Sequence, residues 1–172
     1  MTETAGSAIS KRTPLGRSGL AVACLRIALG VGFVSAVADR LGLWGPLGTL
    51  FVSWGNFHNF LAYTAKLSPW CPIAVLPLLG EVVTVAEAGL GIFLILGFFT
   101  RMASLLTGAL SLVFALAMTI VLGIHAPLNY SVFVFSAASF LLASQPSDGL
   151  SLDRFRGVRI RTESELAVHS QV

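Results

Sequence analysis

The chain has 172 residues, of which 55% are hydrophobic and only 11% are Asp, Glu, Lys or Arg. A soluble globular chain carries about 25% charged residues, and a small soluble domain exposes a large share of its surface. The composition therefore argues against a soluble domain and against a disordered chain. The formal net charge of +3 does not indicate nucleic-acid binding, because most of the charges lie in the two terminal tails and between apolar runs.

Four apolar runs, separated by polar or Gly/Pro-containing breaks, predict an all-α integral membrane protein with four transmembrane helices. A transmembrane helix needs about 20 mainly apolar residues to cross the bilayer core. The predicted helices cover about residues 20–38, 78–99, 102–124 and 129–145. The connecting segment 44–72 is predicted to form an outer interfacial cap between helices 1 and 2. Residues 1–19 are predicted to be a flexible tail and 146–172 a basic tail.

The first run also has features of a cleaved signal peptide, since a basic start and an apolar stretch precede Ala36-Val37-Ala38. Arg26 inside the run, and the length of the run, favour an uncleaved span.

The distribution of Lys and Arg predicts that both termini are cytoplasmic. Lys11, Arg12, Arg17, Arg101 and the arginines of the C-terminal tail share one side, whereas the other side holds Arg40 and Lys66. The aromatic residues that favour a membrane interface all fall on this second, outer side. They are Trp44, Trp54, Tyr63, Trp70 and Tyr130.

Two ionisable residues inside the spans, Arg26 and Glu87, predict a buried polar centre, because intramembrane charges are costly and are functional candidates. Gly80, Thr84, Glu87 and Gly91 follow the i, i+4, i+7, i+11 pattern of one helix face, which is expected to point into the bundle. An Arg26–Glu87 pair is therefore expected, acting either as a structural ion pair or as a functional centre. Alternatively, Arg26 extends to the cytoplasmic headgroups.

A second candidate site lies on the outer side, where Trp54, His58 and Tyr63 combine aromatic walls with hydrogen-bonding groups suited to a quinone headgroup. The alternative interpretation of this stretch is an interfacial anchor helix. Glu81 is on the same side, and its simpler interpretation is a carboxylate in the first turn of its helix. No metal-ligand spacing and no catalytic, phosphate-binding or dinucleotide-binding motif is present.

The order and spacing of several motifs resemble those of the DoxX family, small four-helix bacterial membrane proteins that include the DoxD-like subunit of thiosulfate:quinone oxidoreductase. The resemblance covers roughly residues 20–155. Asn129-Tyr130-Ser131 departs from it, since many members have a Gly-rich stretch with an acidic residue there. The matching residues are Leu25-Arg26, Gly30, Gly32, Arg40, Glu87, Gly89, Gly91, Gly97, Thr100-Arg101 and Ser151-Leu152-Asp153.

The resemblance implies a membrane subunit or anchor of a quinone-linked redox complex in the bacterial cytoplasmic (inner) membrane. Because the chain carries no redox cofactor motif, a protein partner would have to supply the electrons, and quinone would be the non-covalent ligand. An oligomer is compatible with this interpretation, and no nucleic-acid partner is expected. The alternative function is a small transporter or a lipid-handling scaffold without redox activity.

Overall fold

The computed structural model describes residues 17–145 and 151–153, and within these ranges the chain forms a helical bundle. Most of the two predicted tails therefore lies outside the described residues. The helices in chain order are α1 (Arg17–Arg40), α2 (Phe57–Leu67), α3 (Leu76–Leu96), α4 (Thr100–Leu122), α5 (His125–Asn129) and α6 (Val132–Ser144).

Three of these helices are long and apolar enough to cross a membrane, namely α1 from Gly19 onward, α3 and α4. Their outward faces are apolar as well: Val85 on α3 is 72% exposed and Ile120 on α4 is 73% exposed. Apolar side chains on the outside of long helices are suited to contact with lipid and not with water. The described part of the chain is thus compatible with a helical membrane bundle.

The fourth predicted helix, 129–145, is not continuous. A short helix, α5, ends at Asn129, and α6 begins only at Val132, after Ser131 has taken a left-handed conformation with φ 54°. With 13 residues, α6 is about 20 Å long, which is shorter than the bilayer core of about 30 Å. The apolar run alone gave no signal for this bend.

The turn between α3 and α4 differs from the predicted break at Thr100-Arg101. Gly97 ends α3 in the left-handed conformation, at φ 69°, and α4 begins at Thr100. The carboxylate of Asp153 accepts hydrogen bonds from the backbone N–H groups of Phe99 (2.8 Å) and Thr100 (2.7 Å), and so caps α4. Asp153, a residue of the predicted C-terminal tail, thus binds this turn, which we call the hairpin end of the bundle.

The opposite end of the bundle, the cap end, holds the segment between α1 and α3. The side chain of Asn56 accepts a hydrogen bond from the backbone N–H of Asn59 and caps the start of α2 at Phe57, three residues after Trp54. The buried face of α2 consists of Phe60, Thr64 and Leu67. Helix α3 begins at Leu76, earlier than predicted, because Pro77 is well tolerated in a first helical turn.

Helices α1 and α3 pack closely through two glycines. A Cβ atom on Gly91 would lie 2.9 Å from the backbone oxygen of Gly30, and one on Gly30 would lie 2.7 Å from the oxygen of Gly91. Small residues at such contacts let membrane helices approach each other. Nothing lies within 4 Å of a Cβ atom added to Gly89 on the same helix.

We expect Gly91→Ala to lower the free energy of unfolding by about 1–3 kcal/mol, because the new methyl group must push α1 and α3 apart. Gly89→Ala is the matched control and should be neutral or stabilising by up to about 1 kcal/mol. Denaturant unfolding in detergent micelles measures both. Equal stability of the two variants would contradict the close packing of α1 and α3.

Candidate functional site

A buried ion pair between Arg40 and Glu87 joins α1 to α3. Nη2 of Arg40 lies 2.6 Å from Oε2 of Glu87, and the two side chains are only 2% and 4% exposed. Nη1 of Arg40 also donates a hydrogen bond to the hydroxyl of Thr84, at 3.1 Å. Gly80, Glu87 and Gly91 are all buried, so the prediction that this face of α3 points into the bundle is confirmed.

The predicted pairing of Glu87 with Arg26 is wrong. Arg26 is 1% exposed and donates from Nη1 to the backbone oxygens of Leu94 and Ile95, near the hairpin end. These carbonyls lie about 11 Å farther along α3 than Glu87. Helical side chains lean toward the N-terminus of their own helix, so Arg26 reaches away from Glu87. The carbonyls at a helix C-terminus lack partners within the helix and attract a cation.

Two aromatic rings of the cap surround the guanidinium group of Arg40. Its central carbon lies 3.8 Å from the ring centroid of Phe60 and 5.1 Å from that of Trp54. Cation–π contacts of this kind strengthen when the cation is removed from water. Sequence reasoning placed Arg40 among the outer surface charges and so missed it as part of the polar centre. Its position directly after an apolar run was the available signal.

Asp39, the neighbour of Arg40, holds the cap segment over the ion pair. Its carboxylate accepts backbone hydrogen bonds from Ser53 (2.9 Å), Trp54 (3.2 Å) and Gly55 (3.0 Å), and the residue is 5% exposed. Three N–H donors aimed at one carboxylate fix the backbone around Trp54. Asp39 therefore positions one aromatic wall of the site, a role that sequence reasoning did not assign to it.

A cavity of about 640 Å³ opens beside the ion pair. Its polar lining includes Arg40, Glu87 and Ser111, and its walls are mainly aromatic and aliphatic. Burial, and to a lesser extent the neighbouring Tyr130, raises the pKa of the Tyr63 phenol, so this group stays protonated at neutral pH and can donate a hydrogen bond. The other lining residues are Gly32, Phe33, Ala36, Val52, Ser53, Trp54, Phe60, Phe114, Met118, Val132 and Phe135.

The residues predicted for an outer site separate into two groups. Trp54 and Tyr63 line the cavity, with ring centroids 6.3 Å apart. His58 and Glu81 are exposed and are not among the lining residues. His58 lies on the opposite face of α2 from Phe60, and Glu81 lies beyond the first turn of α3, because that helix begins at Leu76 and not near Leu78. The helix-start interpretation of Glu81 is therefore wrong.

The buried polar centre and part of the outer aromatic group thus form one site instead of two. The cavity combines flat apolar walls with a guanidinium group, a carboxylate and a phenol, a combination typical of a site for a planar ligand with polar oxygen atoms. Over the described residues, no group of three or more His, Cys, Asp or Glu side chains is arranged to hold a metal ion.

Comparison with protein families gives a match to the family described as the TQO small subunit DoxD, over residues 22–164. Searches of the curated proteins and of the solved structures found no match. The matched region contains α3, α4 and all the polar residues of the site, and the resemblance noted from the sequence is confirmed. The chain therefore belongs to the DoxD family of membrane redox-complex small subunits.

Proposed function

We propose that this protein is the membrane subunit of a quinone-linked redox complex and that the cavity beside Arg40 and Glu87 takes the quinone headgroup. The observation that carries the proposal is that this buried ion pair, Trp54 and Tyr63 line one cavity of about 640 Å³. The guanidinium and phenol groups can donate hydrogen bonds to the two carbonyl oxygens of a quinone. The aromatic walls suit its flat ring.

Reduction of a quinone to a quinol requires two electrons and two protons. Because the chain has no redox cofactor motif, a two-electron reductant must act through a partner protein, in agreement with the family description as a small subunit. The role of this chain would be to bind and orient the quinone and to supply a carboxylate, that of Glu87, near the oxygen atoms that gain protons.

The proposal includes four spans in the bacterial cytoplasmic membrane, with α5 and α6 together forming the fourth. The cap end lies outside and both termini lie in the cytoplasm. The ion pair supports this orientation: Arg40 is neutralised by Glu87 inside the bundle, which leaves Lys66 as the exposed basic residue of the described cap segment. Arg101 is an exposed basic residue at the hairpin end, and the positive-inside rule favours a cytoplasmic position for that end.

Tryptophan fluorescence tests the quinone site directly. Titration of the purified protein in detergent with a short-chain ubiquinone should give saturable quenching, and most of the quenching should disappear in Trp54→Phe. Trp70→Phe is the matched control, since Trp70 is 64% exposed and does not line the cavity, and it should retain the effect. Tyr63→Phe should weaken the affinity about threefold to tenfold, by the loss of one hydrogen bond.

Absence of saturable quenching, or equal quenching in Trp54→Phe and the unmodified protein, would contradict a quinone site in this cavity. It would favour the transporter or lipid-handling function instead.

Capture of the tagged protein from native membranes tests whether the chain is a subunit of a redox complex. An electron-transfer protein should be recovered with it.

A further inference from the structure

The face of α4 that points into the bundle carries a row of four hydroxyl side chains. Thr100, Ser104, Thr107 and Ser111 are 9%, 0%, 0% and 3% exposed, respectively. Their positions at i, i+4, i+7 and i+11 place them on one side of the helix. Among the described residues, none of these four hydroxyl oxygens has a hydrogen-bond partner. We call this set the hydroxyl row.

Several other hydroxyl groups of the bundle, some buried and some half-buried, have partners. The buried Ser136 donates to the backbone oxygen of Gly108 on α4, at 2.8 Å. Thr64, Thr84, Thr119 and Ser139 each donate to the backbone oxygen four residues earlier, at 2.7–2.9 Å. This local bond is the usual way in which a helical Ser or Thr satisfies its hydroxyl group. The four groups of the hydroxyl row do not use it, although they are buried on the inward face of α4.

The spacing of the row suits hydroxyl groups linked by single water molecules. Successive members are separated along the axis by about 4.5–6 Å, which is the span of two hydrogen bonds through one water. Buried polar groups without a protein partner are the usual hosts of internal water. The whole row extends about 16 Å along α4.

The two ends of the row lie at chemically different places. Ser111 lines the cavity that contains Glu87. Thr100 lies at the hairpin end, where the backbone N–H groups of Phe99 and Thr100 bind the carboxylate of Asp153. An apolar cluster that includes Leu29, Leu94 and Leu142 packs around Ala103, beside the row.

We infer that the hydroxyl row is a proton pathway that leads from the hairpin end of the bundle to Glu87 and the quinone in the cavity. The inference rests on the proposed function. Each quinone carbonyl loses its π bond and gains an O–H bond, with two electrons supplied by the partner's reductant and two protons drawn from water at the hairpin end. The carboxylate of Glu87 lines the same cavity as Ser111 and so can accept a proton in transit.

The experiment measures quinol formation in the full-length protein, reconstituted in nanodiscs with a short-chain ubiquinone. Continuous illumination of a ruthenium photoreductant with a sacrificial electron donor supplies the two electrons one at a time, and ultraviolet absorbance follows the quinol. The double variant Ser104→Ala/Thr107→Val removes two central hydroxyl groups and should slow quinol formation at least tenfold. Its quinone affinity, measured by tryptophan quenching, should be unchanged.

Thr119→Val is the matched control, because Thr119 lies on the same helix but bonds to its own backbone, and it should change neither quantity. Removal of unpartnered hydroxyl groups is not expected to prevent folding, and Thr107→Val alone, which keeps the side-chain shape, should give a smaller slowing. Normal quenching with an unchanged rate in the double variant would overturn the pathway and leave the quinone site standing. Absence of quenching in the unmodified protein would overturn both the quinone site and the proton pathway.

Discussion

Replacement of Glu87 by Gln should lower the free energy of unfolding by about 3 kcal/mol, because it leaves the charge of Arg40 buried without a counter-charge. Arg40 is 2% exposed, and its contacts with the rings of Phe60 and Trp54 hold the guanidinium group inside the bundle. Thermal and denaturant unfolding in detergent micelles measures this loss.

A double-mutant cycle separates the ion pair from general disruption of the site. If Arg40 and Glu87 form the pair, Arg40→Gln/Glu87→Gln should be more stable than the sum of the two single changes predicts, by about 1–3 kcal/mol. The parallel cycle with Arg26→Gln is the control, since Arg26 binds the backbone oxygens of Leu94 and Ile95. Effects in that second cycle should be additive, and coupling of Glu87 to Arg26 instead of Arg40 would contradict the structure.

Asp39→Ala should cost about 2–4 kcal/mol, because three backbone N–H groups lose a charged acceptor at once. The loss should be local: hydrogen exchange at the amides of Ser53, Trp54 and Gly55 should speed up at least tenfold. Release of the wall formed by Trp54 should also weaken quinone binding.

Asp39→Asn is the graded control, since an amide oxygen still accepts hydrogen bonds but carries no charge, and its effect should be smaller. Unchanged exchange at all three amides in Asp39→Ala would show that another contact holds the cap. Loss of exchange protection throughout α3 would point to global destabilisation, and not to local release of the cap.

The membrane character of the protein was predictable from its sequence, because mainly apolar runs of about 20 residues are typical of transmembrane helices. The inward orientation of Glu87 was predictable for a similar reason. Gly80, Thr84, Glu87 and Gly91 share one face at helical spacing, and a charged group in a membrane must turn inward. Both properties depend on the residues of a single segment.

The partner of Glu87 depends on more than one segment. Arg26 and Arg40 both lie on α1, and the choice between them follows from the register of α1 against α3, which Gly30 and Gly91 set by close contact. Helical periodicity predicts which residues share a face of a helix, but not how far along the bundle axis a residue lies relative to the residues of a neighbouring helix. The sequence therefore favoured Arg26, the arginine inside the apolar run. The side chain of Arg26 leans toward the N-terminus of α1 and away from Glu87, which excludes a pair between the two.

The cavity and the hydroxyl row were also decided by the tertiary structure. Trp54 comes from the cap, Arg40 from α1 and Ser111 from α4, and only the fold of the cap onto the bundle, fixed by Asp39, joins them. The sequence by itself determined the class of protein, its family resemblance and the face that holds Glu87, because these follow from local pattern. Tertiary packing decided which groups meet, because contacts between segments distant in the chain depend on the geometry of every helix between them.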